Sequence, residues 1–351
     1  MNLRYIGSKA RLGDELASFI GPPTGGRFID AFCGMGSVAA KAASLGWPVL
    51  ANDHLAYATI ITAARLTSAG QAPFAGLSGY EAAIAELNGL PGREGFLWRE
   101  YSPAARQHST AQIERRYFTE ENASRIDAIR AQIAEWFSAG KVSDAEARIL
   151  IADLIGATNR VANIAGTYGC FLATWSAQSR QVLQMRPREL LGRSVELEAS
   201  VGDVTQVQSR PEDTLYLDPP YTKRQYAAYY HILETISLGD VPIVQGVAGL
   251  RPWQHLASDY CYKRKALNAL DALIEAQAAQ RVLLSYSSEG HVDIDDLYAR
   301  LETKGTVEVF DIADIGRYRP NQVASDRASR VTEHLLVIDK RAVRARRAAA
   351  L

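Results

Sequence analysis

Apolar runs separated by helical patterns dominate the chain. Seven short segments are apolar enough to be strands, and several are continuous apolar runs, as is typical of strands buried on both faces of a parallel sheet. They are Gly26–Phe32, Pro48–Asp53, Val195–Ser200, Asp213–Asp218, Arg281–Tyr286, Thr306–Ile312 and Glu333–Asp339. Helical periodicity separates many of them, at Ser37–Leu45, Asp53–Leu66, Tyr226–Leu238 and Ala266–Gln280. This alternation predicts an open α/β sheet that binds its ligands at the carboxyl ends of the strands.

Two stretches interrupt the alternation of strands and helices. Residues 69–194 show no parallel-sheet pattern and contain helical segments such as Glu120–Phe137 and Ser143–Thr158. We therefore predict an inserted, mostly helical domain at 69–194, with the sheet domain formed by 1–68 and 195–351. The last two strands are joined by Ala313–Thr332, which has little helical periodicity. Without a crossover helix these strands are expected to pair antiparallel, so we predict a seven-stranded mixed sheet whose last strand is antiparallel.

The composition is that of a soluble globular protein. Of the 351 residues, 47% are hydrophobic and 22% are charged, which disfavours disorder. No apolar run approaches the ~18 residues of a membrane-spanning helix, and the N-terminus has no apolar core of signal-peptide length. Three widely spaced cysteines (Cys33, Cys170, Cys261) without a C-x-x-C motif disfavour disulfides and a cysteine zinc site. They favour a reducing compartment, so we expect a cytoplasmic protein.

The net charge excludes a uniformly basic surface but leaves room for a local basic patch. Lysine and arginine together number 39, as do aspartate and glutamate. Between Leu154 and Arg193 five arginines face one acid and are interleaved with aromatic residues. The arginines are Arg160, Arg180, Arg186, Arg188 and Arg193, the acid is Glu189, and the aromatic residues are Tyr168, Phe171 and Trp175. Such a mixture is typical of phosphate binding beside a displaced base. The alternative is that the aromatic side chains belong to the core and the arginines to a solvated face.

A glycine turn links the first predicted strand to the first predicted helix. Gly34 and Gly36 permit positive φ and let a ligand approach the backbone, and the following helix start offers free N–H groups. Asp53 comes nineteen residues after Gly34, at the end of the second strand, where its carboxylate can accept hydrogen bonds from ribose hydroxyls. A dinucleotide-binding Rossmann unit shows the same pattern. The turn therefore indicates an adenosine-bearing cofactor without choosing one, and a tight turn without a ligand stays an alternative.

The segment Asp218-Pro219-Pro220-Tyr221 directly follows the apolar strand Leu215–Leu217. The two prolines remove N–H donors and stiffen the turn, so that carbonyl groups are presented without competing donors. Asp218 adds an acceptor and Tyr221 adds an aromatic face. The exocyclic amino group of a base extruded from a duplex requires acceptors for its hydrogens and a surface for stacking. The segment therefore predicts a base-binding site, the alternative being a proline pair that merely ends a strand.

These motifs resemble those of the D12 class of DNA N6-adenine methyltransferases, which includes the Dam-type enzymes and many restriction-modification methyltransferases. The similar segments cover most of the chain in matching order: Arg4–Lys9, Phe32–Gly36, Asp53, Gly202-Asp203, Asp218–Tyr221 with Lys223–Tyr226 and Tyr230–Thr235, Leu283–Tyr286, and Tyr318. The resemblance implies a Rossmann-like fold and a methyl transfer from S-adenosylmethionine to N6 of a flipped adenine in double-stranded DNA. It also implies the order cofactor half, target-recognition insert, catalytic half, and 69–194 falls where the insert is expected.

The resemblance further implies roles for particular residues. The catalytic residues would be Asp218, Pro219, Pro220 and Tyr221. The cofactor would contact Tyr5, Lys9, Asp30, Phe32, Gly34, Gly36, Asp53, Asp203 and Asp218. The DNA-binding candidates are Arg160, Arg180, Arg186, Arg188, Lys223 and Arg224, with the cluster Lys263–Lys265 as a further one. We expect no metal, because the six histidines lack ligand spacing. We expect a monomer, no membrane, and a cognate restriction endonuclease that acts on the same site without forming a stable complex.

Four other functions share part of this pattern. An N4-cytosine methyltransferase more often begins its catalytic motif with serine, so Asp218 favours adenine. An RNA adenine methyltransferase fits less well, because the size and placement of the insert resemble the DNA enzymes. A nicotinamide-dependent oxidoreductase would explain Gly34–Ala39 and Asp53 but leaves Asp218–Tyr221 without a role. A catalytically silent DNA-binding module would have no need of an intact catalytic motif.

Overall fold

The computed structural model of the chain describes residues 9–315 and 331–341. These residues form two compact units. The sheet unit comprises the described residues among 9–54, 195–225 and 257–341, and the helical unit comprises 55–194 and 226–256. Residues 4–8 of the N-terminal motif, which include Tyr5, and residues 316–330 of the last predicted loop, which include Tyr318, lie outside the described residues.

Seven strands form the sheet of the sheet unit. They are β1 (Phe28–Asp30), β2 (Val49–Asp53), β3 (Leu197–Val201), β4 (Thr214–Leu217), β5 (Arg281–Ser287), β6 (Thr306–Ile315) and β7 (Val331–Asp339). Their order is β3-β2-β1-β4-β5-β7-β6. The first five pair in parallel, whereas β7 is antiparallel to both β5 and β6. All seven predicted strands are present, and the antiparallel last strand is confirmed.

Twelve α-helices accompany the sheet within the described residues. They are α1 (Gly13–Ile20), α2 (Ser37–Ser44), α3 (Ala56–Leu66), α4 (Tyr80–Gly89), α5 (Phe96–Tyr101), α6 (Ala105–His108), α7 (Glu120–Ser138), α8 (Asp144–Val161), α9 (Tyr226–Tyr229), α10 (His231–Leu238), α11 (Ala266–Ala276) and α12 (Ile294–Leu301). Short 3-10 helices lie between some of them, for example at Lys9–Leu12 and Val204–Gln206. None of the described helices is both long and apolar enough to cross a lipid bilayer.

The central strands lie in the core of the sheet unit. β1 and β4 are buried at every position, and β5 is buried at all but its first residue. Their continuous apolar runs match this two-sided burial, since helices cover both faces of a parallel sheet. A cluster that includes Ile29, Leu215 and Val282 joins these strands to α11 and α12. The strand ends are thereby held firmly, and the candidate functional residues project from one of those ends.

The helical unit is built on two long helices whose starts are encoded locally. At α7 the Thr119 side chain accepts a hydrogen bond from the N–H of Asn122. At α8 Ser143 and Glu146 form a reciprocal capping box, which satisfies two otherwise unpaired donors. The predicted insert, 69–194, lies within this unit and contains no named strand among its residues. The unit is larger than the predicted insert because α3, α9 and α10 belong to it as well.

One predicted helix is interrupted in the structure. The pattern over Tyr226–Leu238 predicts a single helix, whereas α9 and α10 are separated at Tyr230, whose φ of −118° is not helical. The Tyr230 side chain is completely buried and its ring packs against Tyr57 at 5.6 Å. The prediction of one continuous helix was wrong, because burial of this large ring accompanies a local backbone conformation that periodicity does not reveal.

Candidate active site

Carboxylates of the sheet unit gather at one edge of the sheet. Asp30 ends β1, Asp53 ends β2, and Asp218 directly follows β4. The carboxyl ends of parallel strands meet at the same edge, where open α/β sheets bind their ligands. The antiparallel β7 brings Glu333 to this edge from its own amino-terminal part. The site therefore unites residues that are more than 300 positions apart in the sequence.

The glycine turn and Asp53 are in direct contact. Gly34 and Gly36 have φ values of 48° and 68°, which residues other than glycine rarely adopt. The N–H of Gly34 donates to Oδ2 of Asp53 at 3.0 Å, and the N–H of Cys33 donates to the carbonyl of Asn52 at 2.9 Å. The carboxylate that ends β2 is thus anchored beside the start of α2. The Asp53 carboxylate is therefore held next to the backbone of the glycine turn.

Asp30 is a buried acid, and one of its oxygens has no hydrogen-bond partner among the described residues. Its Oδ2 accepts the N–H of Ala39 at 3.1 Å, whereas its Oδ1 has no hydrogen-bond partner within the described part of the chain. Burial, helped by the charges of Asp218 and Asp53, raises the pKa of Asp30 to about 8. Leaving a buried carboxylate oxygen unpaired is costly, and a cationic ligand group would remove that cost. Asp30 therefore fits a ligand that carries positive charge.

Asp218 shares a buried lysine with a second carboxylate. Nζ of Lys9 lies 3.1 Å from Oδ1 of Asp218 and also donates to Oε1 of Glu333. The three side chains are 6%, 16% and 3% exposed, respectively. Burial opposes the charge of Lys9, but Asp218 and Glu333 together raise its pKa above the usual value. Burial raises the pKa of Asp218 to about 6, with Lys9 opposing and Glu333 adding to the shift.

Tyr221 presents a partly exposed ring beside this cluster. Nζ of Lys9 lies 5.6 Å from the ring centroid, a cation–π distance, and the ring of Tyr286 meets it edge-on at 5.7 Å. The carbonyl of Tyr221 accepts the N–H of His291 at 2.8 Å, which fixes the end of the turn. Burial raises the pKa of the Tyr221 phenol well above its usual value, so it stays neutral. The segment thus places carbonyls, a carboxylate and an aromatic face together.

The segment after Tyr221 carries exposed cations that are tied to a second basic segment. Lys223 and Arg224 are exposed. Gln225 is buried, and its amide exchanges two hydrogen bonds with the backbone of Ser258, while Sγ of Cys261 donates to the carbonyl of Arg224. The exposed Lys263 and Arg264 follow two residues later. These four cations, Lys223, Arg224, Lys263 and Arg264, form what we call the basic margin.

Two further residues of the cofactor prediction lie on the sheet unit with partners of their own. Oδ1 of Asp203 accepts both the N–H and the hydroxyl of Thr205, and these bonds outweigh partial burial and lower its pKa. The ring of Phe32 meets Tyr260 edge-on at 5.4 Å. A cavity of about 540 Å³ is lined by Asp203, Asn52 and Ser200 among others, but not by Asp30, Asp53 or Asp218. This cavity lies over β2 and β3 and does not coincide with the carboxylate edge, by which we mean the end of the sheet that carries Asp30, Asp53 and Asp218.

The predicted DNA-binding arginines of the helical unit differ in their surroundings. Arg188 is only 14% exposed and pairs with Asp153 at 2.7 Å, which engages it inside the unit. Arg160 is exposed and donates to the carbonyl of Gln184 at 2.9 Å, and Arg180 and Arg186 are exposed. Of the neighbouring aromatic residues, Tyr168 is completely buried. The segment is therefore partly core and partly a basic surface.

Sequence analysis missed one member of the site, Glu333. Its signal was weak: Glu333 lies near the start of a strand whose later residues are mostly apolar, and a glutamate is unusual in a buried position. What sequence could not supply was a partner, since Lys9 lies at the other end of the chain. Among the described residues no group of three or more histidine, cysteine, aspartate or glutamate side chains is arranged to hold a metal ion.

The family model described as D12 class N6 adenine-specific DNA methyltransferase matches residues 5–300. The chain is 32% identical to the Type II methyltransferase M.FokI of Planomicrobium okeanokoites over 347 residues, which cover 96% of this chain and 53% of the relative. It is 30% identical to the modification methylase StsI of Streptococcus sanguinis, covering 93% of this chain and 50% of the relative. It is also 30% identical to the Type II methyltransferase M.NlaIII of Neisseria lactamica, covering 96% and 99%, respectively. The chain thus spans about half the length of the first two relatives and nearly all of the third.

Proposed function

This chain belongs to the D12 class of N6 adenine-specific DNA methyltransferases, and we propose that it methylates N6 of an adenine flipped out of double-stranded DNA. The methyl donor would be S-adenosylmethionine. The observation that carries the proposal is the Asp218–Tyr221 segment, which stands at the carboxyl end of β4 beside the Lys9 ammonium. Membership of this family leaves the nicotinamide-dependent oxidoreductase without support.

The carboxylate edge supports the choice of cofactor. When bound, S-adenosylmethionine supplies an electrophilic methyl group on a sulfonium centre. Asp53, anchored to the glycine turn, would accept hydrogen bonds from the ribose hydroxyls. The unpartnered Oδ1 of Asp30 would face the positive charge of the methionine end. The donor set therefore consists of carboxylates and glycine backbone, which suits a cationic nucleoside.

The base-binding residues supply acceptors and a stacking surface. The Asp218 carboxylate and the Pro219 carbonyl would accept the two hydrogens of the adenine amino group and so orient its nitrogen lone pair. Tyr221 would stack on the flipped base. Alignment of the reacting atoms would supply much of the rate enhancement. Asp218, whose pKa is raised to about 6, remains an anion at neutral pH and is basic enough to take the departing proton.

The proposed function is tested by sequencing DNA for modified bases. We expect N6-methyladenine at one recurrent sequence in DNA from a methylation-free bacterial host that expresses this chain, and none in the host alone. N4-methylcytosine in its place would establish the alternative methyltransferase. Unmodified DNA, together with methylation of cellular RNA by the purified protein and labelled S-adenosylmethionine, would move the proposal to RNA.

The basic margin is proposed to bind DNA phosphates next to the flipped base. Its four cations are exposed, and the Gln225 and Cys261 hydrogen bonds hold the two segments that carry them together. Arg160, Arg180 and Arg186 of the helical unit are proposed as further phosphate contacts, whereas Arg188 is already paired with Asp153. We therefore expect Arg188 to contribute less to binding than the exposed arginines.

Neutralising part of the basic margin should weaken DNA binding and make the affinity less dependent on salt concentration. Each phosphate contact contributes about 0.9 to the slope of log affinity against log salt concentration. The double variant Lys263→Gln/Arg264→Gln should therefore lower that slope by about 1 to 2, as measured by fluorescence anisotropy with a labelled duplex. The control Lys141→Gln/Arg106→Gln removes the same charge from exposed positions of the helical unit. Equal slopes for both double variants would mean that only net charge matters.

The other partner and the oligomeric state are proposed from membership of the family alone. A restriction endonuclease of the same specificity would accompany the enzyme without a stable complex, and the chain would act as a monomer on a short DNA target. The described cysteines form no disulfide, and two of them, Cys33 and Cys261, are buried. Free thiols are typical of a reducing compartment, which supports a cytoplasmic location.

A further inference from the structure

We propose that Glu333 is a positioning residue for methyl transfer, which holds the Lys9 ammonium away from exclusive pairing with Asp218 and so keeps Asp218 basic. The inference rests on the proposed function, in which Asp218 accepts the proton that leaves the adenine amino group. It concerns a residue of the last strand, beyond the segment that the family model matches. Glu333 acts on the electrostatic environment of the Asp218 carboxylate and does not contact the substrate.

The geometry places one cation between two carboxylates. Nζ of Lys9 reaches Oδ1 of Asp218 at 3.1 Å and hydrogen-bonds Oε1 of Glu333. Glu333 is fixed in position because β7 pairs on both sides, with Ser287 of β5 and Ala313 of β6 opposite this residue. The Lys9 side chain is also buried, so water screens its interactions with Asp218 and Glu333 only weakly. Lys9 therefore divides its charge between two fixed acceptors.

The charges that face Asp218 have opposing effects on it. Lys9 stabilises the anionic form, whereas Glu333 destabilises it. Asp30, whose pKa is raised to about 8, carries no charge in the pH range in which Asp218 titrates. Tyr216 and Tyr221 also face Asp218, and the raised pKa of each phenol keeps both neutral. Without Glu333 the ammonium would serve Asp218 alone, and a fully paired carboxylate is a weak base. Glu333 thus offsets part of the effect of Lys9.

The step that depends on this balance is a proton transfer. One N6–H bond of the adenine breaks, its electron pair stays on nitrogen, and the proton passes to the Asp218 carboxylate, which becomes a neutral carboxyl group. Lys9, whose pKa is raised, stays protonated throughout. A stronger base at Asp218 makes this transfer easier, provided that it is ionised at the working pH.

The test compares the wild-type chain with Glu333→Gln, which keeps shape and removes charge. Carboxyl-¹³C NMR, with the Asp218 resonance assigned through Asp218→Asn, reports the titration of this group without any activity. We expect the pKa of Asp218 to fall by about one unit in Glu333→Gln, because a like charge has been removed. In single-turnover methylation the acid limb of the pH–rate profile should move down by the same amount. The plateau rate should fall about threefold, as expected for a weaker base.

Two further variants, Glu198→Gln and Glu333→Asp, are compared with Glu333→Gln. Glu198→Gln removes an exposed carboxylate from β3 and should leave both the titration and the profile unchanged. Glu333→Asp retains the charge at a greater distance and should give a smaller shift in the same direction, which serves as the measurement if Glu333→Gln does not fold. An unshifted Asp218 titration in both Glu333 variants, or lost activity with an unshifted acid limb, would make Glu333 merely structural. Absence of methylation by the wild-type chain would overturn the proposed function alone, because the NMR titration still reports on Glu333.

Discussion

The Asp218→Asn variant should lose methyl transfer by about 10²–10⁴-fold while remaining folded and able to bind cofactor. The asparagine amide retains one acceptor but places an N–H donor where the adenine amino group also donates, and it has no basic oxygen for the departing proton. The substitution preserves shape next to the buried Pro219 and removes the negative charge that faces Lys9, whose contact with Glu333 remains. The measurement is single-turnover transfer of labelled methyl groups to duplex DNA.

The matched control for this variant is Asp213→Asn, at the opposite end of the same strand. Asp213 is buried and accepts hydrogen bonds from the backbone N–H groups of Arg27 and Arg210 and from the Arg27 side chain. Its replacement should lower the thermal midpoint of unfolding and leave the transfer rate per folded molecule unchanged. Full turnover by Asp218→Asn would remove Asp218 from the mechanism, and equal losses in both variants would point to a folding defect.

The Asp53→Ala variant should weaken binding of S-adenosylmethionine by about 10- to 100-fold. Hydrogen bonds to a charged carboxylate are worth about 1.5–3 kcal/mol, and about 1.4 kcal/mol corresponds to a tenfold change in affinity. The variant also removes the acceptor of the Gly34 N–H, so the glycine turn loses a contact that orders it. Isothermal titration calorimetry with S-adenosylmethionine, in the absence of DNA, measures the loss directly.

A carboxylate on the neighbouring strand serves as the control for Asp53. Glu198 of β3 pairs with Arg27 and is mostly exposed, so Glu198→Gln should leave cofactor affinity unchanged. Asp203→Ala adds information, because the hydrogen bonds from Thr205 already occupy one of the Asp203 oxygens. An Asp53→Ala affinity within threefold of wild type would mean that the acid orders the turn but does not bind the ribose.

Local features of the sequence were sufficient for the sheet and for the two motifs. The strands β1, β4 and β5 are continuous apolar runs because helices bury both of their faces, and such runs are visible without a structure. The antiparallel pairing of β7 followed from the absence of helical periodicity between the last two strands. The glycine turn and the Asp218–Tyr221 segment are contiguous, so each motif could be recognised complete.

Contacts between distant segments escaped sequence analysis. The interruption between α9 and α10 coincides with the buried Tyr230 ring, which packs on Tyr57, and periodicity does not encode such a contact. Arg188 belongs to a basic segment by sequence, but in three dimensions Asp153 neutralises it. The helical unit includes α3, α9 and α10, which lie outside the predicted insert in the sequence. Each difference arises because packing partners were chosen across long separations.

The sequence by itself determined the order of strands and helices, the family, and which residue types stand at the carboxyl ends of the parallel strands. These properties are local, since burial on both faces of a strand and the chemistry of a short motif are written in neighbouring residues. Only the tertiary structure decided that Lys9 is shared between Asp218 and Glu333, and that one oxygen of Asp30 is left without a hydrogen-bond partner in the part of the chain that the structure describes. The charge state of a buried group depends on which groups lie within a few ångströms of it. Folding alone brings Lys9, near the start of the chain, next to Glu333 of the last strand.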